Sequence, residues 1–201
     1  RRAGLEAFDT SALYGVVRGY AVDQVSDARA SLQPLMLRYG FDAVERGGVL
    51  QFVMRDGLNA VRLDRTLLAV SNDLNGSMEQ TREAQAEIAG RVRLRFVQAD
   101  GNFDTLAEEA VLAQDATHAI AASEFNMALT RAEGRQVIER WLTEARVSRE
   151  TVRLALPPSM LSVGAGDVIE LPADGEEADA LYRIDRVEQG ELQLVEAVRI
   201  E

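Results

Sequence analysis

TRAEGRQVIERWLTEARVSRETVRLALPPSMLSVGAGDVIEL, residues Thr130–Leu171, is the stretch that decides the fold. Thr130 is suited to cap a helix, because its hydroxyl can accept a hydrogen bond from a backbone N–H in the first turn. Glu133, three residues later, completes a capping box. The pattern predicts a helix over residues 131–146 with an apolar stripe formed by Val137, Ile138, Trp141, Leu142 and Ala145.

A strand is predicted after this helix, since apolar and polar residues alternate over Thr151–Leu156. Pro157 and Pro158 cannot donate to a strand ladder, so they end it. A turn over residues 164–167 then leads into a strand at Val168–Leu171. Together these elements predict the frame of a small β-barrel with one helix packed on it.

The composition excludes several classes of function. The chain has 201 residues, a formal net charge of −11 and no Cys. The acidic balance argues against a nucleic-acid-binding surface, and the lack of Cys excludes disulfides, thiolate metal sites and a Cys nucleophile. The sequence contains no long apolar run of the kind that would indicate a membrane anchor. Because the chain begins at Arg1 and not at Met, we expect it to be a piece of a longer polypeptide.

The second half of the chain is predicted to be mainly strands. RVRLRFV at Arg91–Val97 alternates between Arg and apolar residues, which is typical of a strand with one buried and one charged face. A turn at Asp100-Gly101-Asn102 follows. Further strands are predicted at Thr105–Leu112, Ala119–Ala128, Leu181–Val187 and Glu191–Ile200. On the last strand, one face is shared by Leu192, Leu194, Val198 and Ile200.

The first part of the chain predicts a smaller α+β lobe. Residues Tyr14–Val22 are predicted to form a strand, and Ser26 is predicted to cap a helix that runs to Tyr39. Pro34 would kink this helix or split it into two, and Gly40 is suited to the position after it. A hairpin follows, with strands at Phe41–Glu45 and Val49–Met54 around Arg46-Gly47-Gly48, and then a short strand at Ala60–Leu63.

Residues 71–90 are polar and rich in small side chains, which indicates either a linker or a short helix from Ser77. We place the boundary here. The predicted organisation is an α+β lobe at 1–76, a linker at 77–90 and a β-barrel domain at 91–201 that carries the helix over residues 131–146. The fold class is α+β.

Several groups of residues have spacings that suggest a chemical site. His118 lies near Asp115 and Ser123, but positions three and eight apart on a strand point to different faces, so a catalytic triad is disfavoured. Asp100, Asn102 and Asp104 have the first spacings of a calcium loop, yet Thr105 and Val111 occupy the positions of its Gly and its bidentate Glu.

The acidic run of Glu176, Glu177 and Asp179 is typical of a solvated loop, although a pair of glycosidase carboxylates is left open. The glycines around Gly47 and Gly164 lack the spacing and the Lys of a phosphate-binding loop. We therefore predict no catalytic, cofactor-binding or metal-binding residue in this chain.

Four blocks of the sequence, taken in order, resemble the tail-tip (baseplate hub) proteins of long-tailed phages. The resemblance is closest to the large hub protein of alphaproteobacterial gene transfer agents. The blocks are YGVVRGYAVDQVSDARASLQPLMLRYGFDAVERGGVLQFVMR at 14–55, TRAEGRQVIERWLTEARVSRETVRLALPP at 130–158, GAGDVIELP at 164–172 and YRIDRVEQGELQLVEAVRIE at 182–201.

This resemblance implies a hub of β-barrel domains and α+β lobes that assembles as a homotrimer. Paired barrels would form a pseudo-sixfold ring that matches the tail tube. The implied partners are the distal tail ring, the tail tube and the end of the tape-measure protein, with DNA only in transit. The implied location is the tip of a phage-like tail assembled in the bacterial cytoplasm. The family supplies no catalytic residue or cofactor for this region.

We therefore expect a structural, non-enzymatic tail-tip component that closes the tube and lets DNA pass. The acidic balance fits a lumen that repels phosphate. One alternative is a carboxylate-based cell-wall hydrolase acting in host entry, which requires two carboxylates in a cleft, one with a raised pKa. Another is a carbohydrate-binding module, although only 5% of the residues are aromatic.

Overall fold

The computed structural model describes residues 6–22, 27–55, 59–83, 90–111, 120–172 and 179–200. Within these ranges two α-helices accompany twelve strands. The helices are α1 (Ala28–Tyr39) and α2 (Arg131–Val147). The strands are β1 (Phe8–Asp9), β2 (Phe41–Arg46), β3 (Val49–Met54), β4 (Ala60–Arg62), β5 (Met78–Arg82), β6 (Arg91–Gln98), β7 (Thr105–Val111), β8 (Ile120–Leu129), β9 (Glu150–Leu156), β10 (Val168–Leu171), β11 (Ala180–Gln189) and β12 (Gln193–Ile200).

The chain forms two compact units, and each is built from separate segments. The first unit comprises Arg1–Ala43, Val49–Met54 and Ala84–Arg146, and the second comprises Val44–Gly48, Arg55–Glu83 and Val147–Glu201. This division differs from the contiguous lobes at 1–76 and 91–201. The physical reason is strand pairing, because β4 and β5 pair with β10 and β9 and so complete the sheet of the second unit.

Helix α2 follows the prediction closely, including its cap. The backbone N–H of Glu133 donates to the Thr130 hydroxyl at 3.2 Å, and the Thr130 N–H donates to the Glu133 carboxylate at 2.8 Å, which is a capping box. Val137, Ile138 and Leu142 are buried as predicted. They pack on the sheet β7-β6-β8, whose core face is formed by Val92, Leu94, Phe96, Phe125, Met127 and Leu129.

Strand β6 shows the predicted alternation of arginines and core residues. Val92, Leu94 and Phe96 are buried, while Arg91, Arg93 and Arg95 are exposed. The strand pairs antiparallel with β7 and parallel with β8. The predicted strands at Thr105–Leu112 and Ala119–Ala128 correspond to β7 and β8, and Leu112 and Ala119 lie outside the described residues.

Helix α1 begins one residue later than predicted. Asp27, not Ser26, caps it, with the Asp27 carboxylate accepting from the Ala30 N–H at 2.6 Å. Ser26 lies outside the described residues. Of the two alternatives predicted for Pro34, the split is excluded, since Pro34 lies inside one continuous helix, and a kink stays a prediction. Gly40 ends the helix as predicted, with φ 67°, and its N–H donates to Met36 O.

The hairpin β2–β3 is confirmed, and β1 extends it into a three-stranded sheet of order β1-β3-β2. Gly47 and Gly48 at its turn have φ of 59° and 78°, which suits a two-residue turn. The predicted strand at Tyr14–Val22 is wrong. In that segment only Tyr20 makes a bridge, with Met127 on β8. Glycines at 15 and 19 leave the segment irregular, and its apolar side chains do not alternate between two faces.

The second unit contains one six-stranded sheet of order β4-β10-β11-β12-β9-β5. Residues 71–90 therefore differ from both predictions, because Met78–Arg82 is strand β5 and not a linker or helix; 84–89 lie outside the described residues. The core of the unit is formed by Leu63, Val152, Leu154, Leu156, Val163, Ile169, Leu171, Tyr182, Ile184, Val195 and Ala197.

On β12 the face that packs into the core is not the face that carries Leu194, Val198 and Ile200. Gln193, Val195 and Ala197 are buried, whereas Leu194, Val198 and Ile200 are half-buried on the other face. Apolar side chains occupy both faces of this strand, so alternation alone could not identify the core side. The turn at 164–167 and strands β9, β10 and β11 are confirmed.

The α+β class is confirmed, with more of the described residues in strands than in helices. In the part of the chain that the structure describes, each sheet has a linear strand order with two ends. The predicted barrel over 91–201 is not one sheet, because β6–β8 belong to the first unit and β9–β12 to the second. Closure of the six-stranded sheet into a barrel stays a prediction.

We expect Gly134→Ala to destabilise the protein although Ala favours helices. A Cβ at position 134 would lie 2.3 Å from the ring of Phe96, which is 1% exposed and cannot move aside. This overpacking costs about 1–3 kcal/mol, which outweighs a helix-propensity gain of up to about 1 kcal/mol. Thermal unfolding measures the effect.

Gly19→Ala is the matched control in the same unit. Its added Cβ would lie at an ordinary 3.5 Å from the Ala128 side chain. An unchanged melting temperature in Gly134→Ala, with Gly19→Ala equally unchanged, would contradict the close approach of α2 to the sheet.

Candidate interaction surfaces

A buried carboxylate at the start of β9 is the most chemically distinctive group in the described residues. Glu150 is 6% exposed. Its Oε1 accepts from the Tyr182 hydroxyl and from Gln80 Nε2, both at 2.6 Å, and its Oε2 accepts from Arg199 at 2.7 Å. One carboxylate thus connects β5, β9, β11 and β12 within the second unit.

The pKa of Glu150 reflects two opposed effects. Burial raises it, but hydrogen bonds from Tyr182 and Arg199 outweigh burial and hold the pKa of Glu150 below its usual value. Burial and the bond to Glu150 in turn raise the pKa of Tyr182. Glu150 is therefore an ionised acceptor at neutral pH. A hydrolase would need a carboxyl with a raised pKa as its general acid, so Glu150 fits a structural role.

The first unit contains an apolar pocket of about 280 Å³. Leu32, Leu35 and Tyr39 on α1 form one wall, and Phe41 and Phe52 of the hairpin form another.

The segment of residues 10–17 completes the lining of this pocket through Thr10, Leu13, Tyr14, Gly15 and Val17. The Tyr39 hydroxyl donates to Val16 O at 2.5 Å and holds the segment in place. Gly15, with φ 133°, is needed there, because a Cβ would lie 3.0 Å from the Tyr39 ring. Exposed apolar residues in and near the segment are Tyr14, Val16, Val17 and Val22. The pocket and this exposed apolar segment together are a candidate docking surface.

The loop between β6 and β7 presents an exposed aromatic ring. Phe103 is 67% exposed and has φ 60°, a left-handed conformation that is an outlier for a bulky side chain. Asp100 in the same loop accepts from the Arg131 N–H at the start of α2, at 3.2 and 3.3 Å from its two oxygens. The Asp100 carboxylate thus ties the loop to the start of α2.

The outer face of the sheet β7-β6-β8 carries a row of ion pairs. Arg93 lies 2.6 Å from Glu109, Arg91 lies 3.3 Å from the same carboxylate, and Arg95 lies 3.5 Å from Glu124. These side chains are about half-exposed, so each pair contributes roughly 0–1 kcal/mol. The row is the solvated face that the RVRLRFV pattern predicts.

Several residues of the candidate chemical groups lie outside the part of the chain that the structure describes. His118 and Asp115 lie outside the described residues, and Ser123 lies within β8 opposite Leu94. Glu176 and Glu177 also lie outside them, while Asp179 forms an ion pair with Arg62 at 2.9 Å. Gly164 donates to the Asp167 carboxylate in a turn. Across the described ranges no cluster of three or more His, Asp or Glu residues could hold a metal ion.

Neither helix, over the residues described, is long and apolar enough to cross a membrane.

Sequence reasoning missed Phe103 and the pocket. The left-handed conformation of Phe103 has no sequence signature, because Gly101 and Asn102 beside it are the residues that favour such a conformation. The pocket arises from an irregular segment that was predicted to be a strand.

Comparison with known proteins identifies the class. A family model described as "Putative phage tail protein" matches residues 27–187. A chain in the structure titled "Virion of native gene transfer agent (GTA) particle" is 51% identical over 100% of this chain, with a TM-score of 0.92. A search of curated proteins found no match.

Two more distant structures share the fold. The tail protein from Neisseria meningitidis MC58 has 12% identity and a TM-score of 0.62, and the 43 kDa tail protein of prophage MuSo2 from Shewanella oneidensis has 10% identity and a TM-score of 0.55. Each match covers 98% of this chain and 62% of the other protein.

This chain belongs to the phage tail protein family, since the family model covers well over half of it. The expected resemblance is thereby confirmed, including the similarity to a gene transfer agent particle. The chain spans 45% of the length of the virion chain that it matches.

We expect the stability conferred by Glu150 to depend on pH. Because its folded pKa lies below the usual 4.5, this contribution is complete above about pH 4.5 and is lost as the pH falls through the lowered pKa. Glu150→Gln should reduce the free energy of unfolding by roughly 1–3 kcal/mol at pH 7. The difference in the free energy of unfolding between wild type and variant should become smaller as the pH is lowered. Urea unfolding measures this difference.

Glu188→Gln serves as the control, because Glu188 is half-exposed and pairs with Arg186 on the surface. Glu188→Gln should change the free energy of unfolding little at any pH. A gap for Glu150→Gln that stays constant from pH 7 to pH 3 would contradict the role assigned to the carboxylate.

Proposed function

We propose that this chain is a structural, non-enzymatic component of the tip, or baseplate hub, of a phage-like tail. It would help to close the tail tube and to open it for DNA passage. The observation that carries this proposal is the 51% identity, over the whole chain, to a chain of a gene transfer agent virion. At that identity the two chains share their fold in detail, which supports a shared structural role.

The architecture supports an assembly part. The six-stranded sheet of the second unit is the candidate for the barrel that the family resemblance implies, and β4 and β5 at its two ends are the strands that would close it. Three copies of the protein would form a ring around the tube axis. The first unit, with its exposed apolar segment, supplies a surface for neighbouring proteins.

The electrostatics support a lumen that DNA can traverse. The formal net charge is −11, and the outer arginines of β6 are already paired with Glu109 and Glu124. Such a surface repels phosphate and holds DNA weakly, which suits passage better than storage.

The proposed partners are two more copies of the protein, the distal tail ring, the tail tube and the end of the tape-measure protein. The proposed location is the tail tip of a particle assembled in the bacterial cytoplasm. A non-enzymatic role is supported by the ionised, fully bonded state of Glu150, which leaves that buried carboxylate unsuited to acid catalysis.

The experiment is to label the protein in particles and locate it. A gene-transfer-agent-producing bacterium would carry the full-length protein with an epitope tag, and immunogold electron microscopy would place it. We expect gold at the tail tip, and a strain lacking the protein should yield particles without a closed tip and without gene transfer. Label on the head, or normal particles from the deletion strain, would contradict the proposal.

Native mass spectrometry of the full-length protein tests the ring. A trimer is expected, whereas a protein that remains monomeric at all concentrations and never enters a particle would refute this part of the proposal.

A further inference from the structure

The chain contains one Asn-Gly dipeptide, a pair of residues that can react with itself. Asparagine is a thermolabile residue, because the next backbone nitrogen can attack its side-chain amide. All five asparagines of the chain are exposed, so access to water does not distinguish them. The residue after each of them does, since only glycine has no Cβ to crowd the attacking nitrogen. The five following residues are Ala60, Asp73, Gly76, Phe103 and Met127.

Asn75 and Gly76 lie in the turn that leads into strand β5. The Gly76 N–H donates to Leu74 O at 3.0 Å, so Asn75 is the central residue of a three-residue turn. A hydrogen bond closed over so few atoms is bent, and bent bonds are weaker than those of a strand ladder. Gly76 has φ 106°, and no atom lies within 4 Å of the position that a Cβ would occupy. The fold therefore leaves this peptide bond accessible and its nitrogen weakly held.

From these observations we propose that Asn75 is a site of spontaneous deamidation in the folded protein. The Gly76 nitrogen gives its proton to a base in the solvent and forms a bond to Asn75 Cγ. The bond between Cγ and the side-chain nitrogen breaks, and that nitrogen takes a proton from water and leaves as ammonia. The product is a five-membered succinimide ring.

Water then opens the succinimide in one of two ways. Cleavage of the bond between Cγ and the Gly76 nitrogen leaves an aspartate at position 75. Cleavage of the bond between that nitrogen and the backbone carbonyl carbon leaves an isoaspartate, whose main chain runs through the former side chain. In both cases one water is consumed and one ammonia is released for each asparagine.

The isoaspartate product is expected to disturb packing on both sides of the turn. Leu74 is buried, and Met78, the first residue of β5, packs on the core of the second unit. Isoaspartate adds one carbon atom to the main chain between these two side chains. Since packed interiors leave little free space, the added atom must displace one of them or distort the turn.

The new carboxylate also meets negative charge that is already present. The Asn75 N–H donates to Glu79 Oε1 at 2.9 Å, and Glu79 Oε2 lies 3.7 Å from Arg153 on β9. A second carboxylate beside Glu79 would repel it. Strand β5 lies at one end of the six-stranded sheet and pairs with β9. The modification therefore acts on an edge strand, and we infer that it loosens the attachment of β5 to β9.

Peptide mapping by mass spectrometry tests the site. The folded full chain is incubated at neutral and at mildly alkaline pH and is then digested with trypsin. The peptide 66–82 contains both Asn72 and Asn75, so an exposed control asparagine lies in the same peptide. Asn75 should gain the mass difference between an amide and an acid, mainly as isoaspartate, while Asn72 stays intact. The rate should rise with pH, because the attacking nitrogen must first lose its proton.

A parallel incubation in guanidinium chloride separates the reactivity of the dipeptide from the effect of the fold. Asn75 that converts in the unfolded chain but stays intact in the folded chain would overturn the proposal. Equal conversion of Asn72 and Asn75 in the folded chain would overturn the role assigned to Gly76. Asn75→Gln keeps an amide at this position but must close a larger ring, so it should abolish the reaction.

Hydrogen exchange measures the consequence for the sheet. The isoaspartyl form is separated from the unmodified chain by ion exchange, and amide exchange over Met78–Arg82 is compared in the two forms. Exchange should be faster in the isoaspartyl form, and its melting temperature should be lower by about 2–4 °C. Asn75→Asp adds the charge without the extra main-chain carbon, so it should have a smaller effect. Unchanged exchange in β5 of the isoaspartyl form would refute the loosening.

Discussion

The first unit depends on the close approach of α2 to its sheet at Gly134. The ring of Phe96 lies where any side chain at position 134 would be, so the helix backbone rests directly on an aromatic core residue. This contact fixes the depth at which Val137, Ile138 and Leu142 enter the core. The start of α2 is fixed from both sides, by the Thr130–Glu133 capping box and by Asp100 from the β6–β7 loop. Helix, sheet and loop thus share one anchoring point.

Arginines extend this anchoring point to α1. Glu133, besides its capping role, lies 3.3 Å from Arg38 and 3.4 Å from Arg18. Burial raises the pKa of Glu133, but hydrogen bonds from Thr130 and the charge of the nearby Arg18 lower it by a larger amount. The pKa of Glu133 therefore lies below its usual value, and the carboxylate stays ionised at neutral pH. Arg140 donates to Leu37 O and Arg38 O at the end of α1. One guanidinium nitrogen, Nη2, makes both bonds, because its two N–H groups can each donate to a different carbonyl.

The sequence predicted the elements whose signals are local. The capping box, the Arg-alternating strand, the Gly47-Gly48 turn and the Pro157-Pro158 stop each depend on a few adjacent residues, and all are present. The failures involve partners distant in sequence. Met78–Arg82 is polar and becomes a strand because β9 offers it an edge, and the core side of β12 is decided by which face of the sheet is enclosed. No local pattern contains that information.

The candidate interaction surfaces could not be predicted either, because they are formed by residues distant in sequence. The net charge of the chain limits the kind of contact that such surfaces can make. A chain with a net charge of −11 cannot associate with itself through broad electrostatic attraction, because like charges dominate at long range. A contact between copies must therefore depend on short-range interactions, among which the burial of apolar side chains is the main favourable one. Ion pairs at its edge then select orientation at small cost, since they remain partly solvated. The exposed ring of Phe103 and the apolar pocket beside Tyr39 are two apolar features of this kind, and both lie in the unit that contains the Gly134 contact.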